Sequence, residues 1–417
     1  MKYFVLLGDG MADYPIPELG GVTPLEKAVT PGLDRLAPYS EIGLVKTVPD
    51  HLNPPGSDIA NMSVLGYNPD IYYTGRSPLE AVSMGIEMQE TDLALRCNLV
   101  TLSGGPLYED CIMEDYSADE ITTAESEILI RYLNERLHTD RILFYPGISY
   151  RHCVIMKLPG DPDIRCTPPH DILTRRVGEY LPEGKDGKVL LDLMLQSRRL
   201  LKDHPINAAR KAKGLHTADS IWLWGMGRRP GLANFFEQYH VRGAVVSAVD
   251  LIKGLGLCAG MDILNVENAT GNIHTNFTGK ADAAINYFRS GGEFVYLHVE
   301  APDECGHRCE IQNKVRAIEL IDEKILQPVF RALEKMADDF RILVLPDHPT
   351  PLSLRTHTHD AVPYMIYDSR KAKNMTARTG LRYHEKSGAA SGIYRPTGHL
   401  LMGYFIGGEI SGRTAAK

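Results

Sequence analysis

"EFVYLHVEAPDECGH", residues 293–307, opens on an apolar run and closes on acid and imidazole. The run is short, rich in aromatic and β-branched residues, and reads as a buried strand followed by a loop. Two other stretches follow the same plan. "YFVLLGDG" (3–10) is a strand that ends in a tight Asp-Gly turn, and "RILVLPDH" (341–348) is a strand that ends in Asp347-His348. Helical patterns lie between them. "VTPGLDRLA" (29–37) places Thr30 at an N-cap and Pro31 at the first helical position, and Leu320, Ile321 and Ile325 belong to a helix beyond residue 307. This alternation predicts an α/β fold, with a mostly parallel sheet covered by helices on both faces.

The middle of the chain reads differently. "PLYEDCIMEDYSADEI", an acidic amphipathic helix over 123–137, and "YRHCVIMKLPGDPDIRCTPPHD" mix strand-like pieces with proline- and glycine-rich loops. Residues 96–215 are therefore expected to form a smaller α+β lid domain, inserted into a discontinuous core of 1–95 and 216–417.

Composition narrows the partners. Charged residues make up 24% and hydrophobic ones 43% of the 417 residues, as in an ordinary globular protein. A net charge of −8 gives no support to nucleic acid or an anionic membrane as the main partner. The seven cysteines are scattered and include no C-x-x-C pair, so free thiols in a reducing compartment fit better than a disulfide framework or a thiolate zinc site at "CGHRC" (305–309). The N-terminal apolar run is too short for a signal peptide or membrane span, and a cytoplasmic protein is expected.

The chemistry gathers at strand ends. Asp9, Asp303 and Asp347 each follow an apolar strand, and in open α/β sheets ligands bind beyond the carboxyl ends of strands. His307 lies four residues after Asp303, His348 follows Asp347, and "THTHD" (356–360) adds His357 and His359. Carboxylates and imidazoles in this number suit two divalent ions, Mn²⁺, Mg²⁺ or Zn²⁺. A pair of such ions can clamp the attacking and leaving oxygens of a phosphoryl transfer. Ser57, in "NPPGSDIANMSVLGYNP" (53–69), stands where a helix begins. It suits an N-cap, and equally a nucleophile whose oxyanion the helix N-terminus would stabilise.

The order Asp-Gly, Ser, D-x-x-x-H, D-H, H resembles the alkaline phosphatase superfamily. Within it the chain resembles the archaeal-type cofactor-independent phosphoglycerate mutases, which also occur in bacteria. The similarity extends through "LLGDGMADYPIPELGGVTPLEKAVTPGLDRLA", "PPGSDIANMSVLGYNP", "YTGRSPLEA", "RCNLVT", "YRHCVIM", "PPHD", "IWLWGMG", "SAVDLIKGLG", "LHVEAPDECGH" and "LPDHPTP". It implies an alkaline-phosphatase-like core with two metal ions, Mn²⁺ first among them. Asp9, Ser57, Asp347 and His348 would hold one ion; Asp303, His307 and His357 would hold the other. His357 is preferred to His359 because it lies six residues before Pro363, as in the family's H-T-x-x-x-V-P. Ser57 becomes the nucleophile.

The implied activity is interconversion of 3-phosphoglycerate and 2-phosphoglycerate through a phosphoserine, with no bisphosphate cofactor. A phosphorylated three-carbon acid needs cations at both anionic ends, and Arg96, Arg151, His152, Arg210 and Lys253 are the candidates. Arg151, His152 and Lys253 rank first because they lie in resembling stretches; His170-Asp171 suits a lid-side acid/base pair or a turn. The sequence leaves open a homoserine kinase of the same family, using ATP, and a simple metal-dependent phosphomonoesterase. It does not fix the oligomeric state.

Overall fold

In the computed structural model, residues 1–158, 160–336 and 338–407 are described. They fall into two units, one of Met1–Tyr73 with Gly231–Lys417 and one of Thr74–Pro230. The segment 96–215 lies inside the second.

The first unit is built on an eight-stranded sheet whose centre is parallel. Lys2–Gly8 lies between Phe340–Leu345 and Phe294–Val299, in parallel with both. Gly243–Val246 and Asp262–Ile263 extend the parallel side. Val362–Asp368 runs antiparallel to Phe340–Leu345 and to Ser40–Val45, and Tyr394–Arg395 closes the far edge. The three central strands are buried along their whole length. Their sequences accordingly show continuous apolar runs rather than alternation, as both faces are covered. On one face Phe4, Leu6, Val295, Leu297, Ile342 and Val344 pack into a core with Ala281, Ile318 and Val329 of covering helices. On the other, Phe294 meets Phe235 and Tyr296 reaches Asn61, each on a helix. Because the three central strands are parallel, their carboxyl ends share one edge, which sets Asp9, Asp303 and Asp347 together.

Two local expectations are corrected. Residues 301–307, expected as loop, form the helix Ala301–His307. Pro302 occupies the first turn, where its missing N–H has no intrahelical acceptor to lose. The helix places Asp303 and His307 one turn apart on a single face. Ser57 is not an N-cap: Gly56 holds that position, and Ser57 is the first residue of the helix Ser57–Val64.

The second unit is α+β. Its antiparallel sheet is organised by the 13-residue strand Asp92–Gly104, which pairs with Cys111–Asp115, Arg151–Lys157 and Ser220–Arg228; Ile142–Ile148 adds to Arg151–Lys157. Leu129 and Leu133 of the helix Thr123–Leu137, with Leu190 and Met194 of Gly187–Leu201, pack on one face against Leu95, Leu99 and Val154. Ala81 of the helix Ser77–Ser83 meets Ala94, Cys153 and Ile155 on the other. No helix among the described residues is long and apolar enough to cross a membrane.

Candidate metal centre

The turn after the first strand needs Gly10, whose φ is +59°. A Cβ there would come within 2.6 Å of Asp303 Oδ1 and 2.8 Å of Asp303 Cα, so only glycine lets the turn close on the helix Ala301–His307. Gly10 N–H donates to Asp347 Oδ1 at 3.1 Å, and His348 N–H donates to the same oxygen at 2.9 Å. Asn61 Nδ2 donates to Asp347 Oδ2 and to Ser57 O, both at 2.8 Å, which ties the start of the serine helix to the Asp347 loop. Tyr296 OH donates to Asn61 Oδ1 at 2.6 Å. Burial, then the charges of Asp347 and Asp9, keep this phenol protonated far beyond its usual range, so it remains a donor.

All seven residues expected as metal ligands come together within the first unit. His348 Nε2 lies 3.0 Å from Ser57 Oγ, 3.4 Å from Asp347 Oδ2 and 3.6 Å from Asp9 Oδ1. Asp303 Oδ2 lies 3.2 Å from His307 Nε2, and its Oδ1 lies 3.3 Å from His357 Nε2. The His348 and His357 rings stack with centroids 3.9 Å apart, so the two expected sets adjoin. Regrouped by distance, Asp303, His348 and His357 offer ligand atoms within 4.8 Å of one another, as do Asp9, His298 and Asp347. His359 is outside the cluster, with its Nε2 2.9 Å from Leu52 O.

Does this donor set fit divalent ions? Three observations say that it does. Asp9 Oδ1 is buried and has no hydrogen-bond partner. Burial, then the nearby charges of Asp347 and Asp303, push the Asp9 carboxyl well above its usual range, a crowding that a dication relieves. His307 Nδ1 lies 2.9 Å from Arg355 O and His357 Nδ1 lies 3.0 Å from Pro55 O, so both Nδ1 atoms act as donors. The two Nε2 atoms then face each other at 2.9 Å, an arrangement that requires a proton or a metal between their lone pairs. In the metal-free protein the hydrogen bond to Asp303 pushes His307 up to about 9, which favours its protonated form. For Asp303, burial opposes ionisation, but hydrogen bonds from His307 and His357 hold it well below the usual carboxylate range. A carbonyl on Nδ1 with Nε2 turned to the cluster is the outer-shell pattern of ligating histidines.

His298 is the residue that the sequence reading missed. It is fully buried, with Nε2 3.0 Å from Asp9 Oδ2 and Nδ1 3.3 Å from Ser247 Oγ. Burial pushes it down to about 3, so it is a neutral imidazole holding Asp9. Its signal was a lone histidine inside an otherwise apolar strand.

A family model described as 2,3-bisphosphoglycerate-independent phosphoglycerate mutase matches residues 37–207. A protein of that name from Methanosarcina barkeri is 49% identical over 377 residues, covering 90% of this chain and 93% of its own. The chain belongs to this family. Among solved structures, a Pyrococcus horikoshii protein superimposes with a TM-score of 0.79 at 27% identity, covering 100% of this chain and 99% of its own. The cofactor-independent phosphoglycerate mutase of Thermoplasma acidophilum shares the fold, with a TM-score of 0.66 at 24% identity over 98% of this chain and 99% of its own.

The cations expected for a mutase substrate separate into different environments. Asn98 pairs with Arg151 and Arg96 with Cys153, so Arg96 and Arg151 project from one face of the second unit's sheet. Arg96 Nε lies 2.9 Å from Glu80 Oε2 and its guanidinium stacks on Trp224 at 4.5 Å; Arg76 Nε holds Glu80 Oε1 at 2.8 Å. Burial opposes ionisation of Glu80, but Arg96, Arg76 and Arg151 together hold it below its usual range. Three guanidiniums around one half-buried carboxylate leave a positive excess suited to an anion. His170 packs edge-on to Trp224 at 5.3 Å on this same cluster. His152 does not join them. It pairs with Cys97 and so faces the core, 5% exposed, with Nδ1 accepting from Gly147 N–H at 3.0 Å and Nε2 unpartnered. Arg210 is 2% exposed, with Nη1 on Glu125 Oε2 at 2.7 Å, Nε on His216 O at 2.8 Å and Nη2 on Ala118 O at 2.5 Å. Each of the three guanidinium nitrogens is engaged within the second unit, so the contacts of Arg210 are structural ones. Lys253, in the first unit, sits on the helix Asp250–Cys258, 3.8 Å from Asp250 Oδ1.

Proposed function

We propose that this chain interconverts 3-phosphoglycerate and 2-phosphoglycerate without a bisphosphate cofactor, using Ser57 as the nucleophile. The observation that carries the reading is the position of Ser57 Oγ, 3.0 Å from His348 Nε2 at the first turn of a helix. The first N–H groups of a helix have no intrahelical acceptor, and with the helix dipole they favour an incoming phosphate. With Nδ1 of His348 held by Thr350 Oγ1 at 3.3 Å, its Nε2 lone pair accepts the Ser57 hydroxyl hydrogen while no ion is bound, and the same lone pair would be free to hold the ion once the serine is deprotonated. The substrate's P–O bond breaks as the phosphoryl group passes to Ser57 Oγ, and the serine proton passes to the departing glycerate oxygen. The reverse transfer to the neighbouring hydroxyl completes the isomerisation. Divalent ions, Mn²⁺ first, held by the set of Asp9, Ser57, Asp347 and His348 and the set of Asp303, His307 and His357, would lower the cost of negative charge on the serine and phosphoryl oxygens.

The substrate's anionic ends are assigned to Arg96 and Arg151, with Lys253 as the cation of the first unit. The second unit is assigned the lid role, since a mutase that admits water during turnover becomes a phosphatase. The reaction belongs in the cytoplasm, where its phosphorylated substrates are. The test is an assay of the Mn²⁺-loaded protein on 3-phosphoglycerate alone, beside one on ATP with homoserine and one on a simple phosphate ester. Formation of 2-phosphoglycerate without ATP is expected. ATP-dependent phosphorylation of homoserine with no isomerisation would defeat the reading.

A further inference from the structure

We infer that Thr350, which belongs to neither ligand set, is a positioning residue that fixes both sets through one hydroxyl. The inference rests on the metal reading above. Thr350 Oγ1 donates to Asp303 Oδ1 at 2.5 Å. Its single hydrogen is thereby committed, so its 3.3 Å contact with His348 Nδ1 leaves the hydroxyl only as acceptor. Nδ1 then carries the imidazole hydrogen, and the His348 Nε2 lone pair is turned toward Ser57, Asp9 and Asp347. One side chain thus orients a carboxylate of one set and selects the tautomer of an imidazole in the other.

The surroundings leave this hydroxyl no alternative position. Thr350 is fully buried; its N–H donates to Ala12 O at 3.2 Å, and its carbonyl accepts from Lys314 Nζ at 2.8 Å. Lys314 is itself fully buried and bonded to Asp13 Oδ2 at 2.7 Å, while Asp13 also accepts from Leu352 N–H at 3.2 Å. The ion pair therefore ties the loop after the first strand to the loop that carries Thr350. From the third side, Gly306 of the helix Ala301–His307 lies so close that a Cβ would meet Thr350 O at 2.6 Å and Cγ2 at 2.8 Å. Three chain segments meet at Thr350, and each carries expected ligands: Asp9, then Asp303 and His307, then Asp347 and His348. Packing of the methyl group alone would account for the burial but not for the two directed polar contacts.

The test is Mn²⁺ titration by calorimetry of metal-free protein, comparing wild type with Thr350→Val, Thr350→Ala and Thr350→Ser. Valine keeps the methyl group and the shape but replaces the hydroxyl with a second methyl, and serine keeps the hydroxyl. Thr350→Val and Thr350→Ala are expected to weaken both binding steps by about 10–100-fold, the usual effect of losing an outer-shell partner. Thr350→Ser should remain close to wild type. ¹⁵N spectra of the metal-free wild type should show His348 as the Nδ1–H tautomer, which Thr350→Val loses. Equal affinity in wild type and Thr350→Val would overturn the inference, and so would a Thr350→Ser protein as weak as Thr350→Val. If Thr350→Val does not fold, Thr350→Ala against Thr350→Ser decides by the same measure, with equal affinities overturning the proposal. A folded wild type that takes up no Mn²⁺ would refute the metal reading itself.

Discussion

Ser57 shows why one residue type in one place could not be assigned from its neighbours alone. A serine at a helix start reads as a cap, and replacing a real cap costs about 1 kcal/mol of stability. Here Gly56 takes the cap position, so Ser57→Ala should change the melting temperature little. The rate should fall by several orders of magnitude, as it does when a covalent nucleophile is removed. Quenched turnover of wild type with labelled phosphoglycerate should trap phosphate on Ser57. Near wild-type turnover by Ser57→Ala, with no trapped label, would end its candidacy. His152 makes the complementary case. Burial pushes it down to about 3 from an ordinary 6.5, so the folded state excludes the proton that the unfolded chain takes up. Its contribution is therefore fully present above pH 6.5 and is lost as pH falls from there toward 3. Between pH 6.5 and 5 this removes about 2 kcal/mol. His152→Gln should flatten that part of the stability profile, measured by denaturant unfolding at a series of pH values; an unchanged acid slope would show that His152 is not the group responsible. Neither His152 nor Arg210 could be assigned from sequence. Which partners a buried histidine or arginine finds depends on strand register and on carbonyls far away in the chain.

At the scale of elements, the strands were legible and the helix that matters most was not. Phe294–Val299 and Phe340–Leu345 announce themselves because central parallel strands are covered on both faces and so read as unbroken apolar runs. The helix Ala301–His307 was hidden by its own first turn, where Pro302 and the acids look like loop. Its consequence is large, since helical spacing is what brings Asp303 and His307 to one face. Gly306 tests this element. In an ordinary helix, Gly→Ala stabilises by about 1 kcal/mol. Here the added Cβ would press on Thr350 O at 2.6 Å, so Gly306→Ala must push the helix from the Thr350 loop and displace Asp303. The expected outcome is destabilisation by about 1–3 kcal/mol, typical of overpacking, together with weaker Mn²⁺ binding. A more stable variant with intact Mn²⁺ affinity would show that the close approach is not required.

At the scale of the whole molecule, the two units have separate cores, one around Leu6, Leu297 and Val344 and the other around Leu99, Leu133 and Trp222. The expected boundary at residue 96 falls inside Asp92–Gly104, a single strand that begins before the composition shifts. Separate cores predict two unfolding transitions rather than one, since cooperativity follows the core and not the chain. All seven expected metal ligands lie in the unit of Met1–Tyr73 and Gly231–Lys417, so metal should act on only one of these transitions. Mn²⁺ at a hundred times its dissociation constant adds about 2.7 kcal/mol to the folded state that binds it. For a unit of this size that raises the melting temperature by about 5–10 °C. Differential scanning calorimetry of chelator-treated and Mn²⁺-loaded protein should show one transition moving by that amount while the other stays fixed. Asp303→Asn should reduce the movement, because it removes a negative charge from the expected set of Asp303, His307 and His357 and so weakens Mn²⁺ binding. If both transitions move together, the units unfold as one and the division is only geometric. If neither moves, while the protein folds with these carboxylates and imidazoles in place, the cluster does not bind metal and the assignment of the centre fails with it.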